Sequence, residues 1–189
     1  MARPREVTDE DILAATRRVF LEHGPGAATS FIADELGVSS ATLFHRFGSK
    51  RRLMLKALLP PPPPVDLIRY DPAQPLVAQL TPLAAMLARF PGNEDGLRCL
   101  MSAGFRPDEV FAEFEEPPPV SVLDALTRFF AAAQEHGAVS SRPPRHLALC
   151  FMGALKVNHF FKHICKHPAL DDEDAYVRDV VELLTEGIG

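Results

Sequence analysis

TSFIADELGVSSATLFHRFGSK, residues 29–50, is the stretch that decides the fold. Ile32, Ala33 and Leu36 recur at helical spacing and predict the inner face of a short helix, with Thr29 as its cap. Gly37 stands where a helix ends most readily in a left-handed turn, because glycine has no Cβ to clash there. Ser39 or Ser40 then caps a second short helix, with Leu43 and Phe47 on its inner side. Two short helices joined by a tight glycine-containing turn are a helix-turn-helix. The first helix braces the second, and the second must be narrow and polar outward to enter a major groove about 12 Å wide. Its outward positions, Ser40, Ala41, Thr42, His45 and Arg46, are small or polar.

The flanks fit this core. Residues 9–23 predict a helix capped by Thr8, with Asp9, Glu10 and Asp11 at its positive end. Ile12, Ala15, Thr16, Val19 and Phe20 form its buried face, and Gly24-Pro25-Gly26 ends it. After the quoted stretch, a helix capped at Ser49 carries Leu53, Met54, Ala57 and Leu58, and Pro60 to Pro64 stop it as a stiff polyproline spacer. The rest predicts further helices over residues 74–90, 93–104, 108–115, 120–136, 144–167 and 172–186, with no convincing strand and no repeat. Ala and Leu number 47 against 18 for Val and Ile, which favours helix over strand. The expected fold class is all-α: an N-terminal helix-turn-helix domain over residues 1–59 and a C-terminal helical bundle over residues 60–189.

Composition narrows the function. A chain of 189 residues, 47% apolar and 24% charged, can bury a full core. No apolar run approaches a membrane span of about 18 residues, and the charged N-terminus does not read as a signal peptide. Cys99, Cys150 and Cys165 are too few and scattered for a disulfide framework, so the thiols read as reduced and the protein as cytoplasmic. The net charge of −5 is uneven: residues 1–56 hold nine Lys and Arg against seven acids, and residues 36–65 hold five basic residues and no acid. A basic segment on an acidic body points to an anionic partner for that segment, or simply to a solvated basic face.

Residues 29–50 resemble the DNA-binding signature of the TetR family of transcriptional regulators. The resemblance lies in Thr29, Ile32-Ala33, Gly37-Val38-Ser39, Thr42-Leu43-Phe44-His45-Arg46-Phe47 and Ser49-Lys50, with helices before and after them. It implies a homodimer that binds operator double-stranded DNA and, usually, a small apolar effector in its C-terminal body, with repression as the sign. The last two helices are the natural dimer pair. Carried over, Thr29 and Lys50 touch phosphates, Ser40, Ala41 and Thr42 face base edges or the thymine methyl, and Phe44 and His45 sit at the groove wall, with Ser39 and Arg46 counted among the DNA-binding residues. Three positions depart from the family's habit: Phe44 stands where tyrosine is common and loses a hydroxyl-to-phosphate bond, Ala41 replaces glycine or proline, and Arg51 replaces an acid and adds a candidate phosphate contact.

Two further patterns carry a functional and a plain reading. His159, His163 and His167 fall four apart, which is metal-ligand spacing and the basis of an alternative, a metal-binding or enzymatic helical bundle. They also make an ordinary polar stripe at a helix C-terminus beside Lys162 and Lys166. Phe90, Phe105, Phe111, Phe114, Phe129, Phe130, Phe151 and Phe160 are either core or pocket wall. Met101, Phe105, Phe111, Phe114, Phe130, Phe151 and Asn158 are the effector-contact candidates, with Phe111, Phe114 and the bend at Pro117 to Pro119 foremost. No catalytic triad order, phosphate loop or carboxylate pair stands out, so the sequence predicts no enzyme, no cofactor and no bound metal.

Overall fold

The computed structural model describes residues 7–59, 63–89, 94–165, 167 and 172–188. Its order is α1 (Asp9–His23), α2 (Thr29–Leu36), α3 (Ser40–Phe47), α4 (Lys50–Leu58), α5 (Leu76–Arg89), α6 (Glu94–Ser102), α7 (Pro107–Phe111), α8 (Pro118–Glu135), α9 (Pro144–His159) and α10 (Glu173–Ile188). A 3-10 turn at Val65–Leu67 precedes α5, and a π-helical turn at Phe160–Ile164 follows α9. The fold is all-α, with an N-terminal helix-turn-helix and a C-terminal helical bundle. No helix among the described residues is long and apolar enough to cross a membrane. Cys99, Cys150 and Cys165 are free.

The chain forms two compact units. The first joins residues 1–61 to residues 93–113, and the second joins residues 62–92 to residues 114–189. In the first, α1 presents Ile12, Ala15, Val19 and Phe20 to Ile32 and Ala33 of α2, Leu43 and Phe47 of α3 and Leu53 of α4. The capping box between Thr8 and Asp11 and three acids in the first turn fix where α1 begins. Leu55 is buried beside the expected stripe of α4, because α6 packs across that helix and covers its other flank. Leu100, Phe105 and Val110 complete this core.

In the second unit α8 lies along α9, and α5 packs on α9 and α10. Phe129, Phe130 and Phe151 fill its centre edge to face, 5.4 and 6.0 Å between centroids. Gln79 is buried and pins the loop before α5. Its Oε1 accepts from the Asp71 backbone N–H, and its Nε2 donates to the carbonyls of Asp71 and Gln74.

Most boundaries shift by a residue or two, and three differ in kind or by more: the helix expected over residues 108–115 ends at Phe111, and the other two are at α8 and α9. Pro118 and Pro119 open α8 and do not merely bend the chain before it, since proline suits the first helical turn, where its missing N–H is not needed. The helix expected over residues 144–167 stops being α-helical at His159 and widens into the π turn. The side chains of His159 and His163, and Lys166 entirely, lie outside the described residues, as do Phe90 and Pro60 to Pro62 of the proline run.

Candidate nucleic-acid interface

The reading element is built from its turn outward. Gly37 adopts φ 66° and ψ 30°, a left-handed conformation that costs a residue with a Cβ more, and its N–H returns to the Ala33 and Asp34 carbonyls to close α2. Ser39 is the cap of α3: its Oγ accepts the Thr42 N–H at 3.1 Å and lies 2.9 Å from the Thr42 hydroxyl. Ser40 is the first residue inside that helix. At the start of α2 the cap is Ala28, which offers no side-chain bond, and Thr29 is the first residue of the helix. The sequence had assigned that cap to Thr29. The correction moves the Thr29 hydroxyl into the first turn of α2, half-buried.

Leu43 and Phe47 are buried, and this fixes the rotation of α3. Ala41, Phe44 and His45 are thereby exposed, while Ser40 and Thr42 are half-buried at the edge of the same surface. Arg46 turns back toward α1. Its Nε lies 2.6 Å from Asp9 Oδ1, and its Nη1 donates to the Val7 carbonyl at 2.7 Å. Arg18 of α1 pairs with Glu35 of α2. These two ion pairs tie both short helices to the brace, so Arg46 has a structural partner as well as a place in the reading helix.

Ser49 caps α4 by accepting the Arg52 N–H at 3.1 Å. Lys50, Arg51 and Arg52 therefore crowd the positive end of a helix dipole, an arrangement that repels other cations and attracts phosphate. Lys50 Nζ sits 5.5 Å from the Phe20 ring centroid. Arg51, expected as a candidate phosphate contact, is held elsewhere. Its guanidinium lies 3.7 Å over the Phe105 ring and donates to both Glu109 oxygens at 2.9 and 3.0 Å. The Arg106 backbone N–H and then Arg51 hold the Glu109 carboxyl below its ordinary value. Arg52 and Lys56 are exposed.

Glu109 was not singled out in the sequence, because 58 residues separate it from Arg51. Phe31 was missed too. It is 53% exposed on the first turn of α2, with the His23 ring 5.5 Å away. Its signal was available: Phe31 lies out of phase with Ile32, Ala33 and Leu36.

The effector candidates are divided between the two units. Met101, Phe105 and Phe111 belong to the first, where Phe105 is buried under Arg51 and Met101 is exposed. Phe114, Phe130, Phe151 and Asn158 belong to the second. Phe130 and Phe151 are fully buried against one another, and Phe114 lines a cleft of about 510 Å³. Asn158 is 4% exposed and its Oδ1 accepts no hydrogen bond among the described residues. No group of three or more His, Cys, Asp or Glu side chains suited to a metal occurs among the described residues.

Residues 12–57 match the family model described as bacterial regulatory proteins, tetR family. No curated protein matches the chain in sequence. Among solved structures, a TetR-family transcriptional regulator from Mesorhizobium loti superposes with a TM-score of 0.71 at 16% identity, covering 96% of each chain. One from Pseudomonas syringae pv. tomato gives 0.67 at 21%, covering 97% of each. The flavonoid-responsive regulator FrrA gives 0.66 at 17%, covering 95% of each. At these identities the likeness is one of fold, and it extends over both compact units.

Proposed function

We propose that this chain is a DNA-binding regulator, a homodimeric repressor released from operator DNA by a small apolar effector; its match to the tetR-family model over residues 12–57 and the fold it shares with TetR-family regulators along nearly its whole length support the reading. The observation that carries the reading is the rotation of α3. Burial of Leu43 and Phe47 turns Ala41, Phe44 and His45 outward as one narrow surface, beside the cationic start of α4.

In this reading Ser39, Ser40, Ala41 and Thr42 meet base edges or the thymine methyl, Thr29 and Lys50 hold phosphates, and Phe44, His45 and Arg46 lie along the groove wall. Residues 1–59 do the reading, and residues 60–189 dimerise and bind the effector. The dimer face is the solvent side of α9 with α10. Leu149, Val157 and Phe160 are 46%, 46% and 51% exposed on one side of α9 and its extension, and Leu183 of α10 is 70% exposed. Apolar residues in such a row favour a second copy of the same surface. An apolar effector is consistent with the aromatic second unit, and FrrA, a fold relative, is described as flavonoid-responsive.

Ala41→Asp tests the reading directly. It places a negative charge on the exposed side of α3 without touching its core. Binding of duplex DNA should fall by at least a hundredfold while helicity and dimer mass stay unchanged. Duplex binding unaffected by Ala41→Asp would remove α3 as the reading helix.

A further inference from the structure

We infer that the cleft lined by Pro63, Val65, Phe114, Glu115, Glu116 and Ser121 is a binding site for an organic cation with an apolar body. The inference rests on the reading of this chain as an effector-responsive regulator, and it refines the apolar effector of that reading to one whose apolar body carries a positive charge and binds here. The cleft holds about 510 Å³, within the range of about 300–1,000 Å³ typical of small-molecule sites. Pro63, Val65 and the half-buried Phe114 supply an apolar wall.

Charge sets the ligand class. Glu115 and Glu116 are exposed and adjacent, and neither forms an ion pair among the described residues. Three other acids of the same unit are held by cations from elsewhere in the chain, Asp124 by Arg145, Glu173 by Lys162 and Asp174 by Arg89, and no such cation among the described residues reaches the cleft. None of the six lining residues is basic. The Ser121 hydroxyl donates to the Pro118 carbonyl at 3.1 Å and keeps a lone pair free. Two unpaired carboxylates repel an anion and offer a neutral guest hydrogen-bond acceptance but no charge pairing. A cation satisfies both, and an aromatic face attracts it as well.

The place of the cleft in the chain gives it a route to the reading element. The chain leaves the first compact unit after residue 61 and again after residue 113. Pro63 and Val65 follow the first exit, and Phe114, Glu115 and Glu116 follow the second. A ligand here grips both exit segments at once. It shifts the protein between two arrangements of those segments by as much as its affinity for the two differs.

The test uses two probes of one shape and opposite charge, tetraphenylphosphonium and tetraphenylborate, titrated calorimetrically into the full-length protein. The expected result is one cation site per chain, with the anion binding at least tenfold more weakly. Joint Glu115→Gln and Glu116→Gln substitution should weaken the cation at least tenfold and leave the melting temperature unchanged, as expected for exposed side chains. Phe114→Leu, which keeps an apolar wall and removes the ring, should weaken it several-fold. Equal affinity for the two ions, or cation binding untouched by the double substitution, overturns the inference. Binding to duplex DNA is measured in parallel. DNA binding without cation binding overturns the site and leaves the regulator reading intact, whereas cation binding without DNA binding supports the site and refutes the regulator.

Discussion

Thr42→Ala separates sequence reading from phosphate holding in α3. The change leaves Leu43 and Phe47 in place, and alanine is the better helix former. It removes one hydroxyl, which lies 2.9 Å from Ser39 Oγ. The cap itself survives, because Ser39 Oγ still accepts the residue-42 backbone N–H at 3.1 Å. A hydroxyl pair at the surface contributes at the low end of about 0.5–1.5 kcal/mol, and the gain in helix propensity offsets part of it. The melting temperature should therefore stay within about 2 °C of wild type. On the operator, loss of a base-edge contact costs about 1–3 kcal/mol per half-site, which is a factor of about 5 to 150. A dimer carries two copies, so the free-energy loss doubles. Random duplex should lose almost nothing. Lys50→Ala should behave in the opposite way, weakening both duplexes alike and reducing the log-affinity against log-salt slope by about one per lost contact. Fluorescence anisotropy with labelled operator and random duplexes, from about 50 to 200 mM salt, reads all of these quantities. Equal losses on the two duplexes for Thr42→Ala, or a melting drop beyond about 5 °C, would refute the reasoning.

Three further outcomes follow from the packing. Asn158→Leu keeps the branching of the side chain and removes an oxygen that is buried without a donor, so it should stabilise by about 1–2 kcal/mol, read as a rise in melting temperature of about 2–6 °C; a fall instead would mean that Asn158 has a donor in solution. Leu43→Ala empties a fully buried position between α1 and α3 and should cost about 2–5 kcal/mol by denaturant titration. Glu109 has a lowered pKa in the folded state, so its stabilising contribution is fully present above the ordinary carboxylate value and disappears as pH falls through the lowered one. The melting difference between wild type and Glu109→Gln should therefore be constant at neutral pH and vanish in acid.

The reading head was legible because its signals are local. Thr8 with three acids, the glycine at position 37 and the serines at positions 39 and 49 each fix a helix end within a few residues. The periodic apolar positions fix the buried faces. What escaped depends on distant parts of the chain. Leu55 is buried only because α6 crosses α4. Arg51 is held by the protein only because Glu109 of α7 and the preceding Phe105 come to it. Residues 93–113 belong with the N-terminal helices, which no composition shift announces. The π turn at Phe160–Ile164 was invisible for another reason: periodicity assumes one helical pitch, and the sequence there keeps its apolar character while the pitch changes.

Selection of bound duplexes from a random pool by the full-length protein tests the central claim most directly. The account predicts an enriched inverted repeat whose half-site centres lie about 34 Å apart, one turn of DNA, or a multiple of it, and loss of that enrichment in Ala41→Asp. A pool that emerges no different from its input, or an asymmetric site read equally well by Ala41→Asp, would contradict it.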